Sequence, residues 1–457
     1  MKRRLIAFGL VAMLAAASRA DETPQRVVDR GISVDFSASH PERPGDSVTF
    51  RFELKDTLSG APMAGLRPAA WLAQRGPGAA GPNCTREAAR YLGGDLFNRA
   101  AVDLNSYFVL ALNDDASISV VDPLFGFGGS KLLAMLPLES RGADWALAAE
   151  RERLFVSMPA AGKVAVADTR QWRITDSIAT GPHPRRVLVL GARAWVGDDH
   201  GLTAIDVKTL AVTRVPFAGG GDVAASDDGD FVFATSGRGI VIVDAHSARV
   251  LARVGVDGEP SMLGYSSAAK AIYALDARAG RVFAIDARSR ALTATIEVRP
   301  GATQLSFAPN GRHALIPNPA GGVVQVLDAA TNRVVQNAAI GEGPDRVSYT
   351  SLLAYVRRRG SEIVMMIPLS QLGGEGRPIG VADFPGGRNP LGSAGASLAD
   401  SIVTAPDGPA VLVANPADRM IYLYREGMAA PAGGFSTYGK APRAVLVVDR
   451  GLREDSR

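Results

Sequence analysis

GRGIVIVDAHSARVLARVGV, residues 237–256, contains a short apolar run that ends in an aspartate and is followed by a turn and a second apolar run. The same pattern recurs along the chain, and successive marker aspartates are 46, 38, 38, 42 and 42 residues apart. A period of about 40 residues indicates a repeat architecture in which each unit packs against its neighbours. The marker aspartates are Asp122, Asp168, Asp206, Asp244, Asp286 and Asp328.

Two further units keep the apolar run but lose the aspartate, and their runs end at Pro368 and Arg425. A unit begins with a Gly-x-x-Pro type of turn and continues through four short strands, of which the marker strand is the third. Four strands in about 40 residues are typical of a β-propeller blade. The sequence therefore predicts an all-β, eight-bladed β-propeller, with seven blades as the alternative.

The two ends of the repeat region predict how the ring closes. The first unit, which begins near Tyr107, has only three strands, whereas residues 439–448 (GKAPRAVLVV) repeat the pattern of residues 181–190 (GPHPRRVLVL). A C-terminal strand that completes the first blade would leave no open sheet edge between the ends. We therefore expect closure by the C-terminal strand.

The segment before the repeats is predicted to be a separate small domain. Ile32, Val34 and Phe36 alternate with polar residues, as in a strand with one buried face. We expect a small β-sandwich-like domain over residues 21–80 and a connector with a short helix over residues 81–103. The propeller then covers residues 104–450 and a tail covers residues 451–457.

The N-terminus has the pattern of an export signal. Residues 1–20 place three cations before an apolar core and end in small residues, so we expect cleavage before Asp21 and a periplasmic location. Of the 50 Lys and Arg residues, four lie in this segment, and the 46 that remain balance 46 Asp and Glu residues. A balanced charge argues against a nucleic-acid partner. No other stretch is long and apolar enough to span a membrane.

Several strings carry a resemblance to known families. GPHPRRVLVL and GRGIVIVDAHSARVLARVGV resemble YVTN-type, WD40-like propellers of exported bacterial proteins, over about residues 104–449. The chain is most similar to the "cytochrome D1 domain-containing" family in three strings, which are DLNSYFVLALNDDASISVVDPLFGFGGSKLLA (103–134), VLVANPADRMIYLYREGMAAP (411–431) and PRAVLVVDRGLRE (442–454). That resemblance implies a propeller like the haem d1 domain of cytochrome cd1 nitrite reductases, and by analogy a haem d1-like tetrapyrrole.

Two groups of residues are candidate ligand contacts on one face of the predicted ring. His183 and His200 are the candidate axial ligands that a haem would need. Arginines from separate loops have the fork geometry that binds carboxylates or phosphates. These arginines are Arg185, Arg238, Arg278, Arg346, Arg388, Arg419 and Arg443. The alternative interpretation is that they are solvated and paired with nearby aspartates, at little gain in stability.

Other chemistry has little support in the sequence. The five histidines have no metal-ligand spacing, and the single Cys84 excludes both a C-x-x-C-H site for covalent c-type haem and an internal disulfide. A copper site at Cys84 with Met63 is a minor alternative. No Gly-x-Ser-x-Gly nucleophile motif occurs. Apolar insertions at residues 123–129 and 426–434 would either dock a partner or brace the closure.

Three functions remain open at this point. The first is an exported, non-catalytic propeller that binds a ligand, acts as a scaffold or assists assembly, with an anionic small molecule or a periplasmic protein as partner. The second is a tetrapyrrole-binding redox or haem-handling protein. The third is a lactonase-like hydrolase. The cofactor, if any, stays unknown.

Overall fold

The protein is described here from a computed structural model. Its contacts divide the chain into two compact units, one formed by Met1–Ser106 with Leu452–Arg457 and the other by Tyr107–Gly451. No helix among the described residues has the length and apolar character needed to cross a membrane. The structure describes residues 25–29, 31–38, 50–63, 71–72, 102–103, 107–122, 132–148, 152–349, 352–359, 361, 363–385, 402–404, 410–415, 419–425, 431–439 and 442–449.

The N-terminal unit contains a three-stranded antiparallel sheet. Its strands are β1 (Gln25–Asp29), β2 (Ile32–Ala38) and β3 (Phe50–Asp56), and a separate short ladder joins β4 (Trp71–Leu72) to β5 (Val102–Asp103). The predicted alternation in β2 is confirmed, whereas β1 was missed by the sequence analysis. The predicted connector helix and Cys84 lie outside the described residues.

The larger unit is a β-propeller. The described residues form eight four-stranded antiparallel sheets, so the expectation of eight blades is confirmed and the alternative of seven is wrong. Blade 1 consists of β37 (Pro442–Asp449), β6 (Tyr107–Asn113), β7 (Ser117–Val121) and β8 (Leu132–Pro137). Blade 2 consists of β9 (Trp145–Ala148), β10 (Arg153–Met158), β11 (Lys163–Asp168) and β12 (Arg173–Ala179). Blade 3 consists of β13 (Arg186–Leu190), β14 (Arg193–Asp198), β15 (Gly201–Asp206) and β16 (Val212–Pro216). Blade 4 consists of β17 (Val223–Ala225), β18 (Phe231–Thr235), β19 (Gly239–Asp244) and β20 (Val250–Gly255).

The other four blades follow the same order from the first strand to the fourth. Blade 5 consists of β21 (Met262–Ser266), β22 (Ala271–Asp276), β23 (Arg281–Asp286) and β24 (Leu292–Glu297). Blade 6 consists of β25 (Ser306–Phe307), β26 (His313–Asn318), β27 (Val323–Asp328) and β28 (Arg333–Ala339). Blade 7 consists of β29 (Pro344–Tyr349), β30 (Leu353–Arg358), β31 (Ile363–Pro368) and β32 (Ala382–Pro385). Blade 8 consists of β33 (Ile402–Thr404), β34 (Ala410–Asn415), β35 (Met420–Arg425) and β36 (Pro431–Ser436). Short 3₁₀ turns at Pro159–Ala161 and Leu369–Gln371 follow β10 and β31.

The core lies between the blades. Each of seven apolar clusters fills the interface between two consecutive blades, including the one between blades 8 and 1, where Val109 and Val445 pack with Leu412. A four-stranded sheet has two apolar faces and cannot bury either alone, so each blade depends on both neighbours. This mutual burial explains why the second and third strands of the blades, such as β10 and β11, are mostly apolar and buried.

The structure confirms that the C-terminal strand closes the ring, and it shows the register of the pairing. In blade 1, β37 pairs antiparallel with β6, and Val445 lies opposite Ala111. The Ser119 hydroxyl donates a hydrogen bond to the Thr437 carbonyl, which links blade 1 to the end of blade 8. The C-terminal segment therefore supplies the first strand of the blade that begins at Tyr107.

The marker aspartates shape the turn between the third and fourth strands. Asp206 Oδ1 accepts hydrogen bonds from the backbone N–H groups of Lys208 (3.0 Å) and Thr209 (2.7 Å), and Asp244 and Asp286 make the same contacts in their blades. Aspartate recurs here because its short carboxylate can reach the amides two and three residues ahead. The repeat marker is thus a structural device.

Antiparallel pairing gives the propeller two distinct faces. We call the face that carries the blade-to-blade connections and the loops between second and third strands the connection face. The opposite face, which carries the marker aspartates, is the turn face. In blade 7 the fourth strand begins at Ala382, and the side chain of Ile379, three residues earlier, packs into the cluster between blades 6 and 7.

Candidate functional site

Blade 3 brings both candidate histidines to the connection face. His183 and Arg185 lie in the connection from blade 2, and His200 lies in the loop between β14 and β15. His183 Nδ1 is 2.7 Å from Asp199 Oδ2, and an Arg185 Nη atom is 3.6 Å from the other oxygen of that carboxylate. The Asp199 carboxylate thus bridges a histidine and an arginine that the sequence analysis treated separately.

Arg186, which the sequence analysis missed, lies at the start of the first strand of blade 3 and contacts both neighbouring blades. Its Nε is 2.7 Å from Asp222 Oδ1 and its Nη1 is 3.7 Å from Asp144 Oδ2. Asp144 also accepts a hydrogen bond from the Val187 N–H (2.9 Å), and Asp222 accepts one from the Leu263 N–H (2.7 Å). These two carboxylates therefore connect the first strands of blades 2 to 5.

A glycine run fixes the backbone beside His200. Residues 219–221 are all glycine, and Gly220 has a φ of +121°. A Cβ added at Gly220 would lie only 2.2 Å from the Gly201 carbonyl oxygen. A residue with a side chain does not fit there without a shift of the backbone. The close approach leaves no room for a side chain at this point of the connection.

A cleft of about 480 Å³ lies on the connection face between blades 4 and 5. Arg238 and Arg281 both reach the exposed carboxylate of Asp257, at 3.0 and 3.2 Å. Arg278 lines the same cleft, is exposed, and forms no ion pair with any described residue. Three guanidiniums therefore face three carboxylates, which belong to Asp257, Glu259 and Asp276.

The pKa of Asp276 in this cleft reflects two opposing effects. Burial raises its pKa, but hydrogen bonds from the backbone N–H groups of Ala279 (2.9 Å) and Glu259 (2.8 Å) outweigh burial, so the pKa lies below its usual value. Asp276 is therefore ionised at neutral pH and cancels part of the positive charge nearby. The cleft as a whole is electrically balanced.

Blade 7 presents an arginine run that the sequence analysis also overlooked. Arg357, at the end of β30, is buried and forms a bidentate pair with the buried Asp345, with Nε 2.6 Å from Oδ1. Arg359 Nε approaches the same carboxylate at 3.3 Å, while its side chain is 54% exposed. Arg358 Nε donates to the backbone carbonyl of Glu342 at 3.0 Å.

The remaining predicted arginines differ in solvent exposure. Arg346 is half-buried on β29, opposite Arg357 in the ladder, and Arg419 is exposed in the loop before β35. Arg443 lies on β37, but its side chain is outside the described part, as is Arg388 altogether. The structure therefore places Arg185, Arg238, Arg278 and Arg419 in connection-face loops.

The cleft between blades 4 and 5 does not fit a tetrapyrrole. A pocket for such a ligand is expected to be mostly apolar, with a few placed polar groups. The cleft between blades 4 and 5 is lined by charged side chains, and neither His183 nor His200 lines it. Among the described residues, no group of three or more His, Cys, Asp or Glu side chains is placed to hold a metal ion.

Comparisons with known proteins support the fold. No family model matches the chain, and no curated protein matches its sequence. The chain is similar to the solved structure of the dihydro-heme d1 dehydrogenase NirN in complex with DHE, with 14% identity, a TM-score of 0.58 and coverage of 76% of each chain. It is similar to apo AztD from Citrobacter koseri, with 12% identity, a TM-score of 0.54 and coverage of 75% of this chain and 98% of that one.

A third similar structure has no known function. It is a protein from Desulfotomaculum acetoxidans DSM 771, with 13% identity, a TM-score of 0.51 and coverage of 74% of this chain and 98% of that one. At such low identity these likenesses establish the propeller architecture alone, since one fold supports many unrelated functions. The predicted resemblance to haem d1-type propellers is confirmed at the level of the fold.

Proposed function

We propose that this protein is an exported, non-catalytic β-propeller that holds an anionic ligand or an acidic partner on its connection face. The observation that carries the proposal is the set of exposed guanidiniums that separate blades supply to this one face. They belong to Arg185, Arg238, Arg278, Arg359 and Arg419. Guanidinium groups bind carboxylates and phosphates through paired, charge-assisted hydrogen bonds.

The proposed binding role is favoured over catalysis by how the titratable side chains are used. Asp144 and Asp222 accept backbone N–H bonds from neighbouring blades, and Asp345 is held by arginines. The His183 imidazole contacts Asp199, but no hydroxyl or thiol nucleophile is hydrogen-bonded to it among the described residues. Carboxylates committed to the architecture are poor candidates for general acids or bases, which need to contact a substrate.

Export to the periplasm is part of the proposal. It is supported by residues 1–20, in which cations precede an apolar core and small residues precede the expected cleavage point. We expect a reporter fused after residue 30 to be active outside the cytoplasm only when residues 1–20 are present. Equal activity without them would contradict this part of the proposal.

The test of function is to purify the protein from its own host at low salt and to examine what accompanies it. We expect native mass spectrometry to show a bound anionic molecule or an acidic protein, and we expect high salt to release it because exposed charge pairs are screened. The visible spectrum serves as the second measurement. A Soret band that depends on His183 or His200 would contradict the proposal in favour of a haem-binding protein.

A further inference from the structure

Positive charge is not evenly distributed over the connection face. In the cleft between blades 4 and 5, carboxylates equal guanidiniums in number, and Arg238 and Arg281 already share Asp257. At the corner of blade 7, Arg357, Arg358 and Arg359 are consecutive, and Asp345 is the carboxylate that pairs with them. Glu342 is exposed there and supplies a second carboxylate, so among the described residues three guanidiniums face two carboxylates. The positive surplus therefore lies at blade 7.

The buried pair explains why this surplus is fixed in place. Arg357 makes two hydrogen bonds to Asp345 and neutralises it, so the approach of Arg359 at 3.3 Å adds a charge that Asp345 does not cancel. The same contact orients the Arg359 side chain, which is half-exposed. A guanidinium held by a buried carboxylate loses less conformational freedom on binding a ligand than a free side chain does.

Arg358 and Arg359 retain most of their donors. A guanidinium carries five N–H donors, and each of these two side chains uses one in the described contacts, to the Glu342 carbonyl and to Asp345. The connection before β29 passes through Gly341 and Gly343, with φ of +86° and +76°. A Cβ added at Gly341 would lie 3.2 Å from the Arg358 guanidinium, and one added at Gly343 would lie 3.0 Å from the Arg359 carbonyl oxygen, so both arginines border this short connection.

We propose that Arg358 and Arg359 bind the anionic group, a phosphate or a carboxylate, of the ligand held on the connection face. This inference rests on the proposed function and assigns the site within it. Arg357 and Asp345 are positioning residues, since their buried pair holds Arg359 without facing solvent. The proposed site does not include the cleft between blades 4 and 5, where the charges of guanidiniums and carboxylates balance.

The test is calorimetric titration of the full mature chain with inorganic phosphate in one arm and citrate in the other. The two arms separate a phosphate ligand from a carboxylate ligand. The variant Arg358→Gln with Arg359→Gln removes both charges while Asp345 keeps Arg357. Loss of charge-assisted hydrogen bonds is expected to weaken binding about tenfold or more in at least one arm. The control is Arg288→Gln, an exposed arginine on the turn face, which is expected to bind like the wild type.

The experiment can contradict the assigned site without contradicting the proposed function. Unchanged affinity of the double variant in both arms, or no binding of either anion by the wild type, would overturn the assignment of the site. If the double variant nevertheless co-purifies with an anionic molecule that high salt releases, the proposed function stands and the ligand contacts lie elsewhere on the connection face. A circular dichroism spectrum identical to that of the wild type shows that the double variant is folded.

Discussion

Asp345 and Arg357 show how a single buried contact supports a charged surface. The two side chains are 1% and 2% exposed, and Arg359 extends from the same carboxylate into solvent. Burial of two charges is costly, and the cost is offset by their mutual attraction only while both are present. The pair is therefore vulnerable to the loss of either member, whereas exposed pairs on the same face are not.

Replacement of Asp345 is expected to destabilise the propeller strongly. Asp345→Asn leaves Arg357 as a buried charge without its carboxylate, at a cost of about 3–5 kcal/mol in unfolding free energy. The matched control is Asp257→Asn, whose carboxylate is 83% exposed and pairs with Arg238, and there we expect a change of at most about 1 kcal/mol. Urea unfolding of the two variants provides the comparison. Equal stability of both variants would contradict the proposed role of the buried pair.

The marker aspartates predict how stability depends on pH. Hydrogen bonds from backbone N–H groups and from the following Thr or Ser lower the pKa of Asp206, Asp244 and Asp286. Since the folded-state pKa is depressed below the unfolded value of about 3.9, these groups stabilise the fold above that value. Their contribution is lost as the pH falls through the folded-state pKa.

A triple variant isolates this contribution. Asparagine keeps the oxygen acceptor but does not titrate, so Asp206→Asn, Asp244→Asn and Asp286→Asn together are expected to reduce the loss of stability between about pH 6 and pH 3. Urea unfolding of the wild type and the triple variant at each pH shows how the unfolding free energy of each depends on pH. If wild type and triple variant lose equal stability over that range, acid sensitivity arises from other carboxylates.

At the scale of elements, the C-terminal strand completes the ring. Deletion of residues 442–457 removes β37 and exposes the edge of β6, together with Val109 and Ala111 that pack in the interface with blade 8. We expect loss of the cooperative thermal transition, because a propeller blade depends on both neighbours. Deletion of residues 450–457 alone removes no residue of β37 and is expected to leave the transition unchanged. An unchanged transition in the longer deletion would contradict closure through this strand.

Most strands of the propeller were predictable, because a repeated sequence pattern can be recognised without knowing which strands pair in the fold. Asp206 and its equivalents marked the third strands, and residues 439–448 identified the closing strand. The sequence pattern did not predict strand β1, because its segment QRVVD is short and mostly exposed. The site was harder to predict, since the roles of Arg186 and Arg357 depend on carboxylates from other strands that only the folded ring brings near.

At the scale of the whole molecule, one kind of hydrogen bond between blades recurs. An acceptor next to the first strand of an even-numbered blade binds a backbone N–H in the first strand of the next blade, and the three described cases are 2.9, 2.7 and 2.6 Å long. The acceptor–donor pairs are Asp144 with Val187, Asp222 with Leu263, and Gln304 with Val347. This hydrogen bond therefore recurs at every second blade boundary in the described cases, a period that the spacing of the marker aspartates did not indicate.

Asp222 also binds Arg186 at 2.7 Å, which is closer than the 3.7 Å contact of Arg186 with Asp144. Asp222→Ala leaves the Leu263 N–H without its acceptor, and an unsatisfied buried donor costs about 1–3 kcal/mol. Asp176→Ala, at an exposed position of β12, is expected to change stability by at most about 0.5 kcal/mol. Thermal unfolding of both variants tests this contact between blades, and an equally small effect at Asp222 would contradict its stabilising role.

The central claim is that the connection face is the binding surface, and hydrogen–deuterium exchange of the mature protein with and without saturating phosphate or citrate tests it most directly. We predict slower exchange in peptides that cover residues 341–349 and 353–359, where the arginine run and its adjoining connection lie. Peptides of the turn face, such as those covering residues 206–211 and 244–249, are predicted to exchange at unchanged rates. Slower exchange confined to the turn face, or no change anywhere on the connection face, would contradict the claim.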